Sequence, residues 1–363
     1  MRRGNVSGVR RFVVFFLAVM VVLLARPASH HARAAGLLVS FSDPNTKAST
    51  EIAEQTILLD GGIPARIYRP ADKAMTALPG VVLVHGVHHL GIEEPRLNRF
   101  ARSVASAGVV VLAPEVMELS DYRVAPRSID TVGKAVKQLE GLVAKKQVGL
   151  MGMSFGGGVS LLTAADARFR DDIAFVVSVG GHGDLARVST FFATDPKAHE
   201  YGATVLVYTH VEDFFPEADV PAAREALRLW LHESRDDAHR AANELSAASK
   251  TKVEKLFAAD VASLRNELLS EVERLREPMK QMSPEGHLQD IKANVYLLHG
   301  EGDNVIPASE TLSLAKAIPA ARLRSALVTP AIQHVELKGP TAMDKWDLVH
   351  FMGQVLADAS DAE

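Results

Sequence analysis

From Val81 onward the chain alternates short, largely apolar runs with longer stretches whose apolar positions recur every three or four residues. The short runs are Val81–Val84, Val109–Ala113, Val148–Met151, Ala174–Val179, Thr204–Tyr208, Val295–Leu298 and Leu323–Val328. A strand covered on both faces carries few polar positions. Such runs, spaced by helix-length segments, therefore predict an α/β fold: a mostly parallel sheet with helices on both sides. Before them, Gly36–Phe41 and Glu54–Pro70 alternate apolar and polar residues around the turn Asp60-Gly61-Gly62. That alternation predicts an antiparallel opening, with strands near Thr56–Leu59 and Ala65–Tyr68.

One interval breaks the rhythm. Between Tyr208 and Val295 no run reads as a strand, and the gap is far longer than a crossover needs. Ala222–His232 carries Leu227, Trp230 and Leu231, and a longer stretch carries Phe257, Val261, Leu264, Leu268, Val272 and Leu275 at helical spacing before Pro278. The pattern predicts a helical cap over residues 211–290, inserted between core segments 36–210 and 291–363. A helical hairpin packed only on itself would show the same stripe. Ala342–Leu356 is expected to be an amphipathic terminal helix.

Composition fits one large core, with 47% apolar and 23% charged residues in 363. There is no cysteine, which excludes disulfides, thiolate metal sites and a thiol nucleophile. Residues 1–35 read as a signal peptide or an N-terminal membrane anchor. Arg2, Arg3, Arg10 and Arg11 precede the apolar run Phe12–Ala25, and Ala32-Arg33-Ala34 offers small residues at a cleavage spacing. The run is shorter than a bilayer span of about 20 residues, and the Arg10-Arg11 pair is a weak match to a twin-arginine signal. The expectation is export, to the periplasm or beyond, with the segment cleaved near Ala35 or kept as an inner-membrane tether. Removing residues 1–34 takes away six arginines and no acid, moving the formal charge from −4 to −10. A net acidic chain without a basic block argues against a nucleic-acid partner.

The strongest chemical signal is Gly152-Met153-Ser154-Phe155-Gly156-Gly157-Gly158, directly after a predicted strand and before a helix expected from about Val159. Glycines are needed there because the strand turns sharply into the helix, holding Ser154 in a strained conformation above the sheet's carboxyl edge. A serine hydroxyl is a poor nucleophile at neutral pH, so a base and an orienting acid should follow in chain order. Asp303 follows Val295–Leu298 in a loop, and His334 follows Leu323–Val328. Glu212 or Asp213 is an alternative acid, and Ser154 in a catalytically silent glycine turn remains the plain alternative. His350 falls within the terminal helix, and His299 ends a strand as a structural histidine would.

Oxyanion donors are expected from the amides of Val87 and Phe155, the first in the open turn His85-Gly86-Val87-His88-His89. His85, Gly86, His88 and His89 are candidate pocket residues, with Glu115 as a further substrate contact. Glu93 and Glu94 follow the histidine pair, but adjacent histidines in a loop point apart, so no metal site is expected.

Together His85-Gly86, the Ser154 elbow, the Asp303 loop and His334 resemble the α/β-hydrolase superfamily over about residues 50–357. The pattern is similar to its dienelactone-hydrolase-like and acetyl-esterase or prolyl-oligopeptidase-like groups. The resemblance implies a serine hydrolase acting on a small-molecule ester without cofactor. Dienelactone hydrolases use cysteine, and dehalogenases and many epoxide hydrolases of this fold use aspartate, so those activities do not carry over to Ser154. A peptidase or amidase of the same fold is the nearest rival, but the propeller of prolyl oligopeptidases is missing. A catalytically silent, ligand-binding domain is the rival of a different class; intact Ser154, Asp303 and His334 argue against it.

Overall fold

The computed structural model describes residues 28–42, 50–334, 336–337 and 341–362. The apolar run Phe12–Ala25 lies outside them. Eight strands form one sheet: β1 (Ile52–Leu59), β2 (Ile63–Pro70), β3 (Gly80–Val84), β4 (Val110–Pro114), β5 (Val148–Met153), β6 (Ile173–Val179), β7 (Asn294–Gly300) and β8 (Leu323–Thr329). Their spatial order is β1-β2-β4-β3-β5-β6-β7-β8. β2 runs antiparallel to both its neighbours, and all pairings from β4 to β8 are parallel. A small hairpin, β9 (Ile332–Gln333) with β10 (Glu336–Leu337), follows β8.

Every residue of β3, β4 and β5 is buried, because helices cover both sides. Alternate residues serve opposite faces. Val82, Val84, Leu112, Leu150 and Val176 enter one core, and Val81, Leu83, Val111, Met151 and Val177 enter the other. Helix α1 (residues 28–42) and α2 (Pro95–Ser106) belong to the second face. α3 (Met117–Ser120) is a short turn after β4, while α4 (Pro126–Val143) and α5 (Phe155–Ala165) belong to the first face.

Between β6 and β7 come α6 (Leu185–Thr194), α7 (Glu200–Thr209), α8 (Val211–Phe214), α9 (Val220–Leu231), α10 (Arg235–Ala242), α11 (Ala247–Phe257) and α12 (Arg265–Lys280). α13 (Ser309–Ala317) precedes β8, and α14 (Ala342–Asp361) closes the described chain on the second face.

Five expectations need correction. Thr204–Tyr208 is helical within α7: β6 pairs directly with β7, which leaves no place for a strand, and Leu206, Val207 and Tyr208 are buried in the cap's own core. A short run apolar on all sides does not distinguish strand from helix. The inserted helices therefore begin at Leu185 rather than at residue 211.

Gly36–Phe41 is likewise helical: Ala34, Leu37, Leu38 and Phe41 recur at helical spacing and pack on the second face. The stretch from Phe257 to Leu275 is broken at Ala259, whose φ of 58° ends α11, and Pro278 lies inside α12 rather than after it. Finally, α5 begins at Phe155, with no gap after the serine. No helix among the described residues is long and apolar enough to cross a membrane.

Candidate active site

Strand order reverses around β3 and β5, and in open α/β sheets the carboxyl ends at such a point form a crevice. Ser154 sits there, on top of β5, with φ 53° and ψ −133°. Its amide donates to Val179 O at 2.8 Å, which fixes the turn against the next strand. The flanking glycines have a steric reason: a β-carbon on Gly152 would lie 2.1 Å from Gly156 O, and one on Gly156 would lie 2.2 Å from His85 O. The elbow is thus pressed against the backbone of the loop after β3. A β-carbon on Gly86 would come within 3.0 Å of Ser154 Cβ. α5 has no side-chain N-cap, so its first amides and their partial positive charge remain directed at the crevice.

His334 occupies the turn of the β9–β10 hairpin with φ 53°, a strained backbone value like that of Ser154. Its Nδ1 is 2.9 Å from Asp303 Oδ2. The other carboxylate oxygen accepts from the amides of Val305 (2.8 Å) and Ile306 (3.0 Å). His299, fully buried, lies 3.5 Å from the same carboxylate while its Nε2 donates to Ile306 O at 2.8 Å. Burial alone would raise the Asp303 carboxyl; hydrogen bonds from His299 and His334 outweigh it and hold the group well below the usual carboxylate range. The alternative acids belong to the cap, where Glu212 pairs with Arg224 and Asp213 with Arg274.

Ser154 and His334 border one cleft of about 80 Å³, together with His85, Gly86, Val87 and His88. Among the described residues the amides of Val87 and Phe155 have no backbone acceptor, and both residues also line a cavity of about 250 Å³ beneath α6, α7 and α12. That cavity is walled mostly by apolar side chains, among them Leu185, Phe192, Leu206 and Met282.

The remaining pocket candidates need adjustment. His85 is buried as a brace: its Nε2 accepts from the Val116 amide at 3.0 Å, so Nδ1 carries the proton and donates to Gly86 O at 2.7 Å. Burial lowers its pKa, which keeps the ring neutral. His88 and His89 do not point apart; their rings stack at 4.6 Å, and His89 stacks on His232 of the cap at 4.2 Å. His89 faces the cap rather than the cleft. Glu115 is also turned away, accepting from the Ile92 amide at 3.0 Å and from the Ser120 hydroxyl.

Among the described residues one trio has metal-ligand spacing, His210, Asp213 and Glu271, with ligand atoms within 4.8 Å. Arg274 already bonds both carboxylates, at 2.6 Å to Asp213 and 2.5 Å to Glu271, so a cation would compete with a guanidinium.

Two cap contacts were not foreseen from the sequence. Tyr201 donates its hydroxyl to Val87 O at 2.9 Å, and Tyr122 donates to Leu231 O at 2.9 Å. No local pattern marks such residues, since the contacts exist only once the cap is docked.

No protein-family model matches the chain, and no curated protein does. Solved structures are similar in fold. A protein from Bacteroides ovatus provisionally assigned as a dipeptidyl aminopeptidase IV superposes with a TM-score of 0.51 at 16% identity, over 88% of this chain and 37% of its own. An acylaminoacyl peptidase gives 0.51 at 14% identity, over 86% of this chain and 41% of its own. A puromycin hydrolase gives 0.50 at 16% identity, over 88% and 40%. The chain spans about two fifths of the length of these proteins. With the strand order above, they show that the chain has the α/β-hydrolase fold.

Proposed function

We propose that the chain is a serine hydrolase that cleaves carboxylic esters with an apolar acyl group through a covalent acyl-enzyme. The observation that carries this reading is the His334–Asp303 bond of 2.9 Å, with His334 and the strained Ser154 on one cleft. Asp303 keeps the proton on His334 Nδ1, leaving Nε2 free to take the Ser154 hydroxyl proton as Oγ attacks the ester carbonyl. The amides of Val87 and Phe155 receive the negative charge on the carbonyl oxygen. Collapse expels the alcohol with the proton from Nε2. Water then gives a proton to the same nitrogen as it attacks the acyl carbon, and the second collapse returns that proton to Ser154 Oγ and releases the acid.

The apolar cavity opening beside Val87 and Phe155 has the character of an acyl site. The chemistry requires neither metal nor cofactor. Export through residues 1–34 belongs to the same proposal and rests on their sequence alone.

The test is turnover of p-nitrophenyl esters from acetate to octanoate beside matched p-nitroanilides. Faster ester turnover that improves from acetate to the mid-length acyl groups supports the reading. Anilides cleaved faster than esters would replace it with the peptidase or amidase reading.

A further inference from the structure

The turn after β3 is held from two sides, once by the core and once by the cap. His85 Nδ1–H donates to Gly86 O at 2.7 Å. In a planar trans peptide the carbonyl and the following N–H point in opposite directions, so this bond also aims the Val87 N–H. The next peptide is held at its carbonyl by the cap, where the Tyr201 hydroxyl, from α7, donates to Val87 O at 2.9 Å, and at its N–H by Leu119 O, which accepts from the His88 amide at 3.3 Å. With both carbonyls fixed, little rotation remains for the amide between them.

Burial pushes the Tyr201 hydroxyl well above its ordinary pKa, so it stays a donor throughout the working pH range. Its ring meets Tyr122 edge-on at 6.0 Å, and Tyr122 is itself tied to the end of α9 through Leu231 O. α7 also contributes Gly202, Val205 and Leu206 to the apolar cavity. One helix therefore both walls the cavity and grips the peptide next to the expected oxyanion donor.

We propose that Tyr201 is a positioning residue for the oxyanion hole, through which the cap sets the alignment of the Val87 amide. The proposal rests on the serine-hydrolase reading above. An oxyanion donor matters most in the transition state, where charge has moved to the oxygen, so misalignment lowers the chemical rate without weakening ground-state binding. Complete removal of such a donor costs about 10²–10³ in rate, and loss of one of the bonds that brace it should cost about tenfold.

The experiment measures the rate of Ser154 phosphonylation by a fluorophosphonate, and kcat and KM for p-nitrophenyl butyrate, in wild type, Tyr201→Phe and Tyr208→Phe. Tyr208 is the control, because its hydroxyl makes a different bond near the cap, to Asp121 Oδ1 at 2.8 Å, and does not touch Val87. The expected result is that Tyr201→Phe slows phosphonylation and kcat about tenfold with KM and melting temperature unchanged, while Tyr208→Phe keeps wild-type rates. Equal rates for Tyr201→Phe and wild type, or an equal loss in both variants, would overturn the positioning role. Wild-type protein that is folded yet never phosphonylated would instead overturn the underlying serine-hydrolase reading.

Discussion

Asp303 presents one carboxylate oxygen to His334 Nδ1 at 2.9 Å and the other to the amides of Val305 and Ile306, so its orientation is set before any substrate arrives. That division has a mechanistic consequence. An amide side chain of the same shape would keep the loop but present a donor or a weaker acceptor to the imidazole, favouring the wrong tautomer.

Asp303→Asn is accordingly expected to lower kcat by about 10³–10⁴ while leaving the fold intact. The check is ester turnover beside circular dichroism; activity within threefold of wild type would assign the orienting acid elsewhere. The depressed carboxyl pKa also fixes a pH dependence. Its stabilising contribution is complete above about pH 4, where the aspartate of an unfolded chain is ionised, and disappears only as the pH falls well below that. Asp303→Asn should therefore flatten the acid limb of the stability curve.

The stack of His88, His89 and His232 joins the loop after β3 to the end of α9. Burial, followed by the neighbouring His89 and Arg228, lowers the His232 pKa to about 4, against the opposing pull of Glu225. An unfolded histidine binds its proton near pH 6.5, so stability is full above that value. It falls as the pH drops from about 6.5 toward 4, then levels off. Melting temperatures across pH 7.5 to 4 should show this decline in wild type, and His232→Gln should reduce it. An unchanged slope in the variant would mean that the stack does not report on acid.

α1 extends this reasoning to the N-terminus. Ala34 and Leu37 are buried against the second face, Arg33 Nε donates to Ala107 O at 2.6 Å, and Phe41 meets Phe100 edge-on at 5.2 Å. Cleavage after Ala34 would divide this helix and remove the Arg33 bond. We therefore predict that the native protein keeps residues 28–34. Intact mass of the protein purified from its native host checks this, and a mature chain beginning at Ala35 would contradict it.

How much of this was legible beforehand depended on whether the constraint was local. β3, β5 and β7 could be read from the chain because a strand buried on both faces is apolar along most of its length. The elbow was legible because close backbone approach at Gly152 and Gly156 admits nothing larger than glycine. Thr204–Tyr208 and Gly36–Phe41 were misread because both pack on surfaces supplied by distant segments, the other cap helices in one case and α2 with α14 in the other. The Tyr201–Val87 bond spans 114 residues, and the His89–His232 stack is equally non-local, so neither leaves a sequence pattern.

The most direct measurement is covalent labelling of the purified protein by a fluorophosphonate probe, with the modified peptide identified by mass spectrometry, in wild type, Ser154→Ala and His334→Ala. The account predicts rapid labelling at Ser154 in wild type, none in Ser154→Ala, and a loss of about a thousandfold or more in rate in His334→Ala. Folded wild-type protein that resists the probe, or labelling that persists in Ser154→Ala, would contradict it.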